Sequence, residues 1–424
     1  MIILAIETSC DETAISVVEP RLLPSKNSRE GGQAVFKVLA HVVASQIKLH
    51  AKWGGVVPNL ARREHQKNLV PVLKKALKST RGETSVTTDV SPRIQLLESK
   101  IKKILERETE LIAPFLEFIN NNGVPKIDAI AVTRGPGLEP ALWVGINFAK
   151  ALALAWNKPL IPINHMEGHI YSVLIPNEAN EATHLSFPAL ALLVSGGHTE
   201  LVIIKNWLKH KIICQTLDDA VGEAFDKVAR LLDLPYPGGP EISRLAKIYV
   251  PRGDTTGVTE VSPRVQFPRP MLHSPDFNFS FSGLKTAVLY TVNKLKASNA
   301  DGKLSDQQKM MLAYEFEQAA VETLVKKTAK AITKFKPKTL IIAGGVAANQ
   351  ELGKQMQELI KNKFSPTSLK LRGASNLQLL ISNLQLSTDN ATMIAVTAYL
   401  HLQTKTKFPK NFKADGGLSL DLLK

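Results

Sequence analysis

The feature that most constrains the fold is a strand–turn–strand pattern that occurs twice in the chain. Near the start, the apolar run Ile2–Ile6 is followed by a polar turn, Glu7–Thr13, and by a second apolar run, Ala14–Val18. Short apolar runs bounded by polar turns are typical of buried strands. The pattern returns in the middle of the chain, where the two runs and their turn are Ala189–Val194, Glu200–Ile204 and Ser195–His198. This repetition predicts two related half-molecules.

A third apolar run, Thr339–Ile342, leads into a glycine turn, Ala343–Asn349, and then into a stretch with helical periodicity, Gln350–Lys361. This order predicts a strand that feeds a glycine turn and the N-terminus of a helix. Apolar residues near 3.6-residue spacing predict further helices at Ala61–Leu77, Val144–Trp156, Asp219–Leu232 and Met310–Phe335. The whole pattern predicts an α/β fold.

Two polar stretches look like insertions, at about residues 79–122 and about residues 250–270. They share a near-repeat, Thr88–Gln95 against Thr259–Gln266, with Val-Ser-Pro-Arg in both copies. A surface element that pairs with its copy or with RNA is one interpretation. We favour solvated loops, because loops tolerate insertions.

The 424 residues, 44% of them hydrophobic and 21% charged, suffice for two or three globular units. A formal net charge of +15 favours polyanionic partners such as RNA, although charge alone does not establish nucleic-acid binding. Cys10 and Cys214 are too few for a disulfide framework and lack the CxxC spacing of a zinc ribbon. The sequence has no membrane-spanning run and no signal peptide, so we expect a cytoplasmic protein.

The sharpest local signal is the pair His165 and His169. At i and i+4 on a helix, two imidazoles share one face and can reach one metal ion, although two surface histidines without a ligand fit the spacing equally well. Glu167 would point to the opposite side, which excludes the His-Glu-x-x-His arrangement of a metalloprotease. Asp389 is either a third ligand or the N-cap of a helix that begins near Met393. Two histidines and a carboxylate suit zinc or ferrous iron.

Glycine pairs mark three more turns, each of which is an ordinary structural turn when taken singly. Together they match a cradle whose main-chain N–H groups meet phosphate or carbonyl oxygens. The pairs are Gly196-Gly197, Gly238-Gly239 and Gly344-Gly345.

Acidic residues cluster at two places. Asp219, Glu223 and Asp226 would place three carboxylates on one helix face, either to accept hydrogen bonds from a ribose or as a solvated acidic face. Asp11 and Glu12, in the first polar turn, either contact a substrate or cap the turn.

Taken together, these segments resemble the TsaD family, the bacterial tRNA adenosine threonylcarbamoyltransferases, almost from end to end. Ten pieces in the right order are far more specific than any single one. They are Glu7-Thr-Ser-Cys-Asp-Glu-Thr13, Gly54-Gly-Val-Val-Pro58, Gly135-Pro-Gly137, His165-Met-Glu-Gly-His169, Val194-Ser-Gly-Gly-His-Thr199, Asp218 to Lys227, Tyr236-Pro-Gly-Gly-Pro240, Phe279-Ser-Phe-Ser-Gly-Leu-Lys285, Gly344-Gly-Val-Ala-Ala-Asn349 and Thr388-Asp-Asn390.

The resemblance implies an actin-like (ASKHA) fold, in which two lobes of duplicated RNase H-like domains enclose the ligand. We expect residues 1–163 plus 394–424 to form the N-terminal lobe, with the insertion at about 79–122. Residues 164–393 would form the C-terminal lobe, which carries the metal and adenylate site and the insertion at about 250–270.

The family transfers a threonylcarbamoyl group from threonylcarbamoyl-AMP to N6 of the adenosine that follows the anticodon, in tRNAs reading ANN codons, and releases AMP. By this resemblance, one divalent metal ion, Fe²⁺ in preference to Zn²⁺, would be held by His165, His169 and Asp389. Asp11 or Glu12 would orient the amine or remove its proton, which is a hypothesis. The residues expected to hold the adenylate are Val194, Ser195, Gly196, Gly197, Asp226, Gly239 and Asn349.

The resemblance also implies partners: tRNA, a TsaB-like paralogue and a TsaE-like ATPase, with the adenylate supplied by a TsaC-like synthase. An actin-like ATPase or sugar kinase is the first rival interpretation, because the same fold class binds ATP with similar glycine turns. The histidine pair argues against it, since phosphoryl transfer with magnesium needs oxygen ligands. A non-catalytic scaffold is the second rival, and loss of a metal ligand would favour it.

Overall fold

The computed structural model describes residues 1–22, 34–80, 91–176, 183–249, 265–364, 377–383, 388–409 and 411–422. Elements are numbered in chain order. The N-terminal lobe is built on strands β1 (Ile3–Glu7), β2 (Glu12–Leu22), β3 (Ala34–Ser45), β4 (Ala129–Gly135) and β5 (Leu160–Asn164), with helices α1 (Ile47–His50), α2 (Pro58–Ser79), α3 (Ser91–Ile104), α4 (Thr109–Asn121) and α5 (Glu139–Trp156).

The C-terminal lobe repeats the design. Its strands are β6 (Ala189–Val194), β7 (Thr199–Asn206), β8 (Lys209–Gln215), β9 (Thr339–Ala343) and β10 (Gln378–Ile381), and its helices are α7 (Val221–Leu231), α8 (Gly238–Ile248), α9 (Ser282–Ser298), α10 (Asp306–Phe335) and α11 (Gln350–Leu359). Two more helices, α6 (His165–Tyr171) and α12 (Ala391–Gln403), lie where the lobes meet.

The two sheets have the same topology. The first has the order β3-β2-β1-β4-β5 and the second the order β8-β7-β6-β9-β10. In each sheet the first three strands in sequence are antiparallel, and the last two run parallel to the first. This duplicated order confirms the predicted α/β, actin-like two-lobed fold, and the strand–turn–strand units are the β1–β2 and β6–β7 hairpins.

Alternation along the central strands divides the core. In β1, Leu4 and Ile6 face the helices of the N-terminal lobe, whereas Ile3 and Ala5 face the junction between the sheets. In β6, Leu192 likewise faces the helices of its own lobe. Because successive side chains of a strand point to opposite faces, one strand serves two cores. Helices α6 and α12 fill the space between the sheets.

Most predicted helices are confirmed with boundaries a few residues apart. Helix α2 begins with Pro58 at its first position, where the missing N–H costs nothing. Helix α10 starts at a capping box in which the Ser305 hydroxyl accepts from the Gln308 N–H and the Gln308 side chain accepts from the Ser305 N–H. Within the described residues, no helix combines the length and the apolar character that a bilayer crossing requires.

The solvated-loop interpretation of the first insertion is wrong for residues 91–122, which form α3 and α4. Leu111, Phe115 and Ile119 of α4 are fully buried in the core of the N-terminal lobe. Residues spaced at i, i+4 and i+8 form an apolar helix face, which explains the burial. Residues 81–90 and 250–264, with most of the near-repeat, lie outside the described residues.

The C-terminal end of the chain crosses back to the first lobe. Helix α12 packs on β1 and β2, and the assignment of residues 394–424 to the N-terminal lobe stays a prediction. Helix α6 contacts strands of both sheets, including β5 and β6. The residue at which one lobe ends and the other begins stays a prediction.

Candidate metal and adenylate site

Strand β5 ends at Asn164, and the metal-site helix begins with the next residue. The Asn164 side chain accepts hydrogen bonds from the N–H groups of Met166 and Glu167, at 2.8 and 3.3 Å, and thereby caps α6. Because the helix starts at once, His165 and His169 lie on one face, with ring centroids 4.7 Å apart. The sequence spacing therefore produces the shared face that it predicted.

Asp389 completes the cluster from the other end of the chain. One of its carboxylate oxygens lies 3.1 Å from His165 Nε2 and 3.2 Å from His169 Nε2. One ligand atom from each of the three residues lies within 4.8 Å of the other two. The alternative role of Asp389 as an N-cap is wrong, because the Asn390 side chain caps α12 by accepting from the Met393 N–H.

The donor set fits a divalent metal ion. Both imidazoles turn their Nε2 atoms toward the same carboxylate, and the buried His169 Nε2 makes no hydrogen bond among the described residues. Burial lowers the pKa of His165, but the Asp389 and Glu7 carboxylates outweigh it and raise that pKa well above its usual range. Burial lowers the pKa of His169. A set that attracts positive charge and presents two imidazole nitrogens suits Zn²⁺ or Fe²⁺.

Glu7 orients His165 from behind, a role that the sequence did not reveal. The fully buried carboxylate accepts hydrogen bonds from His165 Nδ1 at 2.9 Å, from the Thr133 hydroxyl at 2.6 Å and from the Ser9 N–H at 2.5 Å. A carboxylate that accepts the Nδ1 hydrogen of a histidine leaves the Nε2 lone pair free to bind a metal. A lone glutamate at the end of an apolar strand was the available signal.

The turn after β1 carries the candidate catalytic acids. Ser9, in the same turn, lies 3.3 Å from His165 Nδ1 and donates to Asp389 at 3.4 Å, which places the turn beside the metal cluster. Asp11 Oδ2 is buried and has no hydrogen-bond partner among the described residues. Burial, reinforced by Asp11 and Asp389, raises the pKa of Glu12 well above its usual range. Buried acceptors without donors are expected where a substrate donor binds.

The predicted adenylate residues border open space in the C-terminal lobe. Side chains added at Gly196, Gly197 or Gly239 would meet no atom within 4 Å, so these glycines border open space. Ser195 shapes the first turn, since its hydroxyl accepts from the His198 N–H at 3.1 Å. Val194 ends β6, directly before this turn. The turn leaves main-chain groups accessible, as a cradle for phosphate requires.

Two other predicted residues are engaged within the protein. Asp226 accepts from the Gly238 N–H at 2.7 Å and so fixes the start of α8. Asn349 accepts from the Leu352 N–H at 2.8 Å and donates to Glu317 at 2.7 Å. These bonds fix the local backbone at both positions, and direct contact of either side chain with the adenylate stays a prediction.

The prediction of three carboxylates on one helix face is wrong in part. Asp219 precedes α7, whose N-cap is Ala220. Lys227 lies 2.8 Å from both Asp219 and Glu223, and Lys285 lies 3.2 Å from Asp219. Two carboxylates that already pair with lysines of the same lobe do not need a ribose to offset their repulsion.

Two further residues, His198 and Arg230, were not predicted from the sequence. His198 lies near His165 and His169, and burial lowers its pKa to about 4, with the two neighbouring histidines adding to the effect. Arg230, on α7, donates to the carbonyl of Gly54 in the other lobe. The sequence signal for His198 was its place in a glycine-rich turn. No local signal marked Arg230, because its contact with Gly54 spans 176 positions of the chain.

A duplicated actin-like fold with a two-histidine, one-carboxylate cluster where its lobes meet defines a two-lobed protein of the ASKHA class with a candidate metal site. The family model described as TsaD, tRNA N6-adenosine threonylcarbamoyltransferase, matches residues 37–88 and 105–396. The chain belongs to this family. The interruption of the match coincides with α3, within the stretch predicted as an insertion.

Curated relatives agree over nearly the full length. The tRNA N6-adenosine threonylcarbamoyltransferase of Thermosipho africanus is 40% identical and is covered to 94%, as is this chain. That of Bacillus cereus is 38% identical, over 99% of this chain and 97% of the relative. Among solved structures, the ROK hexokinase from Thermus thermophilus matches with 12% identity and a TM-score of 0.42, over 95% of this chain and 100% of that one.

Proposed function

We propose that this chain transfers the threonylcarbamoyl group from threonylcarbamoyl-AMP to N6 of the adenosine that follows the anticodon, in tRNAs reading ANN codons. The product is threonylcarbamoyladenosine (t6A), and AMP leaves. Membership of the TsaD family supports the reaction class. The observation that carries the proposal is the convergence of His165, His169 and Asp389 beside the turn that holds Asp11 and Glu12.

The three ligands would hold one divalent ion, with Fe²⁺ favoured and Zn²⁺ as the alternative. When bound, such an ion supplies a Lewis-acid centre that stabilises negative charge on a carbamoyl or phosphate oxygen. The chain provides the rest of the geometry: Glu7 fixes the orientation of His165, and the Ser9 hydroxyl restrains Asp389.

Asp11 and Glu12 would handle the proton of the attacking amine. In the transfer, N6 forms a bond with the carbamoyl carbon, the bond from that carbon to the phosphate oxygen breaks, and one N6 proton is lost. The unpaired Asp11 Oδ2 can accept a hydrogen bond from the amine and orient it. Burial raises the pKa of Glu12, which makes it a stronger base than an ordinary carboxylate and suits it to receive the proton.

The open space beside Gly196, Gly197 and Gly239 would hold the adenylate in the C-terminal lobe. Main-chain N–H groups at such turns bind phosphate oxygens without a counter-charge. The net charge of +15 favours tRNA binding through its phosphates. We further propose that a TsaB-like paralogue and a TsaE-like ATPase assist the reaction, and that it takes place in the cytoplasm.

The test uses purified protein with threonylcarbamoyl-AMP and unmodified tRNA, with and without the paralogue and the ATPase, followed by mass spectrometry of the nucleosides. We expect modified adenosine from the wild type and a loss of at least about 100-fold in Asp389→Ala, because a two-ligand site binds metal weakly. Asp301→Asn, in an exposed loop, is the matched control and should retain full activity.

No modified adenosine under any condition, from protein whose metal content has been verified, would overturn the proposal. Phosphorylation of a small hydroxylated substrate by ATP would instead favour the kinase alternative. Full activity in Asp389→Ala would exclude the metal-dependent mechanism.

A further inference from the structure

We propose that Glu167 is a positioning residue, which locks the metal-site helix between the two lobes through two buried histidines and thereby aims His165 and His169 at the metal. This inference rests on the proposed metal site. The Glu167 cluster consists of Glu167, Tyr171, His210, His401 and Thr406.

Glu167 lies on the face of α6 opposite the ligand pair. His401 Nε2 donates to one of its oxygens at 2.9 Å, and His210 Nδ1 lies 3.3 Å from the other oxygen, close but not aligned as a hydrogen bond. The side chain of Glu167 is 1% exposed, that of His210 1% and that of His401 5%. A carboxylate buried this deeply persists only where donors answer it.

Each of the two histidines is also held by a hydroxyl group on the side away from Glu167. The Tyr171 hydroxyl accepts from the Leu208 N–H at 2.8 Å, so its own hydrogen points to His210 Nε2, 3.0 Å away. The hydrogen of His210 therefore sits on Nδ1, facing Glu167. The Thr406 hydroxyl lies 3.1 Å from His401 Nδ1 and restrains that ring on the side away from Glu167.

The two histidines come from opposite lobes. His210 belongs to β8 at one edge of the C-terminal sheet, whereas His401 belongs to α12, which packs on the N-terminal sheet. Helix α6 has only seven residues, about two turns, so its own hydrogen bonds do little to fix its rotation about its axis. Glu167 restrains that rotation from the rear, because both of its oxygens face histidines that belong to different lobes.

A rotation of α6 would move both imidazoles together, which is why a contact on the rear face matters for the metal. Ligand geometry is held by surrounding contacts, and their loss typically weakens metal binding by about 10- to 100-fold. The position of Glu167 that excludes a role as a protease base is therefore the position that this role requires.

The experiment measures metal affinity and the visible spectrum of the Co²⁺-loaded protein, with the full chain. Glu167→Gln keeps the shape of the side chain but turns an N–H donor toward one of the histidine N–H groups. We expect a metal Kd raised by about tenfold or more and shifted Co²⁺ bands, since the bands report the angles between ligands. Glu108→Gln is the matched control, because Glu108 is a buried glutamate that accepts from Asn147 in the core of the N-terminal lobe, away from the metal.

His401→Gln provides a second variant, which removes one contact and leaves the carboxylate in place. It should shift the affinity in the same direction by a smaller factor, and it carries the test if Glu167→Gln does not fold. If the folded variants kept the metal affinity and the Co²⁺ bands of the wild type, the role of Glu167 would be overturned, while the proposed metal site would stand. Equal losses in Glu167→Gln and Glu108→Gln would also overturn it, because they would indicate general destabilisation. A wild type that binds no metal would refute the metal site and this inference together.

Discussion

Acid should destabilise this protein through His65, which holds the turn that carries the candidate catalytic pair. His65 is fully buried on α2, its Nε2 donates to the Cys10 carbonyl at 3.0 Å, and its Nδ1 lies 2.7 Å from the Thr13 hydroxyl. One ring nitrogen thus donates a hydrogen bond and the other accepts one. This arrangement fits a neutral imidazole, in which only one nitrogen carries a hydrogen. Burial lowers the pKa of His65 from 6.5 to about 4.

The sign and size of the effect follow from linkage. Between pH 6.5 and about 4, the unfolded chain binds a proton at His65 that the folded protein refuses, so the free energy of unfolding falls as the pH falls. The full pKa difference corresponds to about 3 kcal/mol, complete near pH 4 and absent above pH 7. Glu12 acts in the opposite direction, because its raised pKa makes the folded protein bind a proton more readily. The pH dependence of the total free energy of unfolding therefore contains opposing contributions from His65 and Glu12.

Comparing the free energy of unfolding of the wild type with that of His65→Gln isolates the contribution of the histidine. In His65→Gln, the side-chain amide can still donate to the Cys10 carbonyl and accept from the Thr13 hydroxyl, but it does not titrate. Urea unfolding followed by tryptophan fluorescence at pH 7, 6, 5 and 4 should show the wild type losing about 3 kcal/mol more than the variant. Parallel curves for the two proteins over this range would refute the reasoning.

Two further predictions concern contacts that meet the site from outside. Glu7→Gln should raise the metal Kd by about 10- to 100-fold, because the amide would turn a donor toward the N–H of Ser9 or toward His165. Competition with a chelator measures this Kd. An unchanged Kd would exclude Glu7 as an orienting group. Arg230→Ala should raise the KM for threonylcarbamoyl-AMP several-fold at unchanged kcat. The substitution removes the hydrogen bond from the Arg230 guanidinium to the Gly54 carbonyl of the other lobe, and such a bond contributes about 1.5 to 3 kcal/mol at most. Steady-state kinetics on tRNA decide the second case, and a loss confined to kcat would contradict it.

The sequence predicted the elements well where one periodicity decides the structure. Strand β6, Ala189–Val194, was predicted with its observed ends, because an unbroken apolar run between polar turns is buried on both faces. Helix α10 began four residues before the predicted Met310, at a capping box that the apolar spacing does not register. Helix α4 was missed because its polar neighbours in the insertion hid its apolar face.

The site was predictable only as far as single segments reach. The spacing of His165 and His169 placed both rings on one face, but their partner Glu7 lies 158 positions from His165. Asp389 was ambiguous because a carboxylate before a helix is a common cap, and only the structure shows that Asn390 takes that role. The partners of Glu167 could not be found from the local pattern, since His401 is 234 positions away.

The location of the metal site follows from the small residues of the two facing sheets. Ala5 of β1, Ala131 of β4 and Ala191 of β6 all face the junction, where short side chains leave room for α6 and α12 between the sheets. The candidate metal ligands meet there, because α6 carries His165 and His169 while the segment that leads into α12 carries Asp389. Larger side chains at these alanines would push the two helices apart, and the ligands with them. The packing of the lobes and the geometry of the metal site are therefore set by the same contacts.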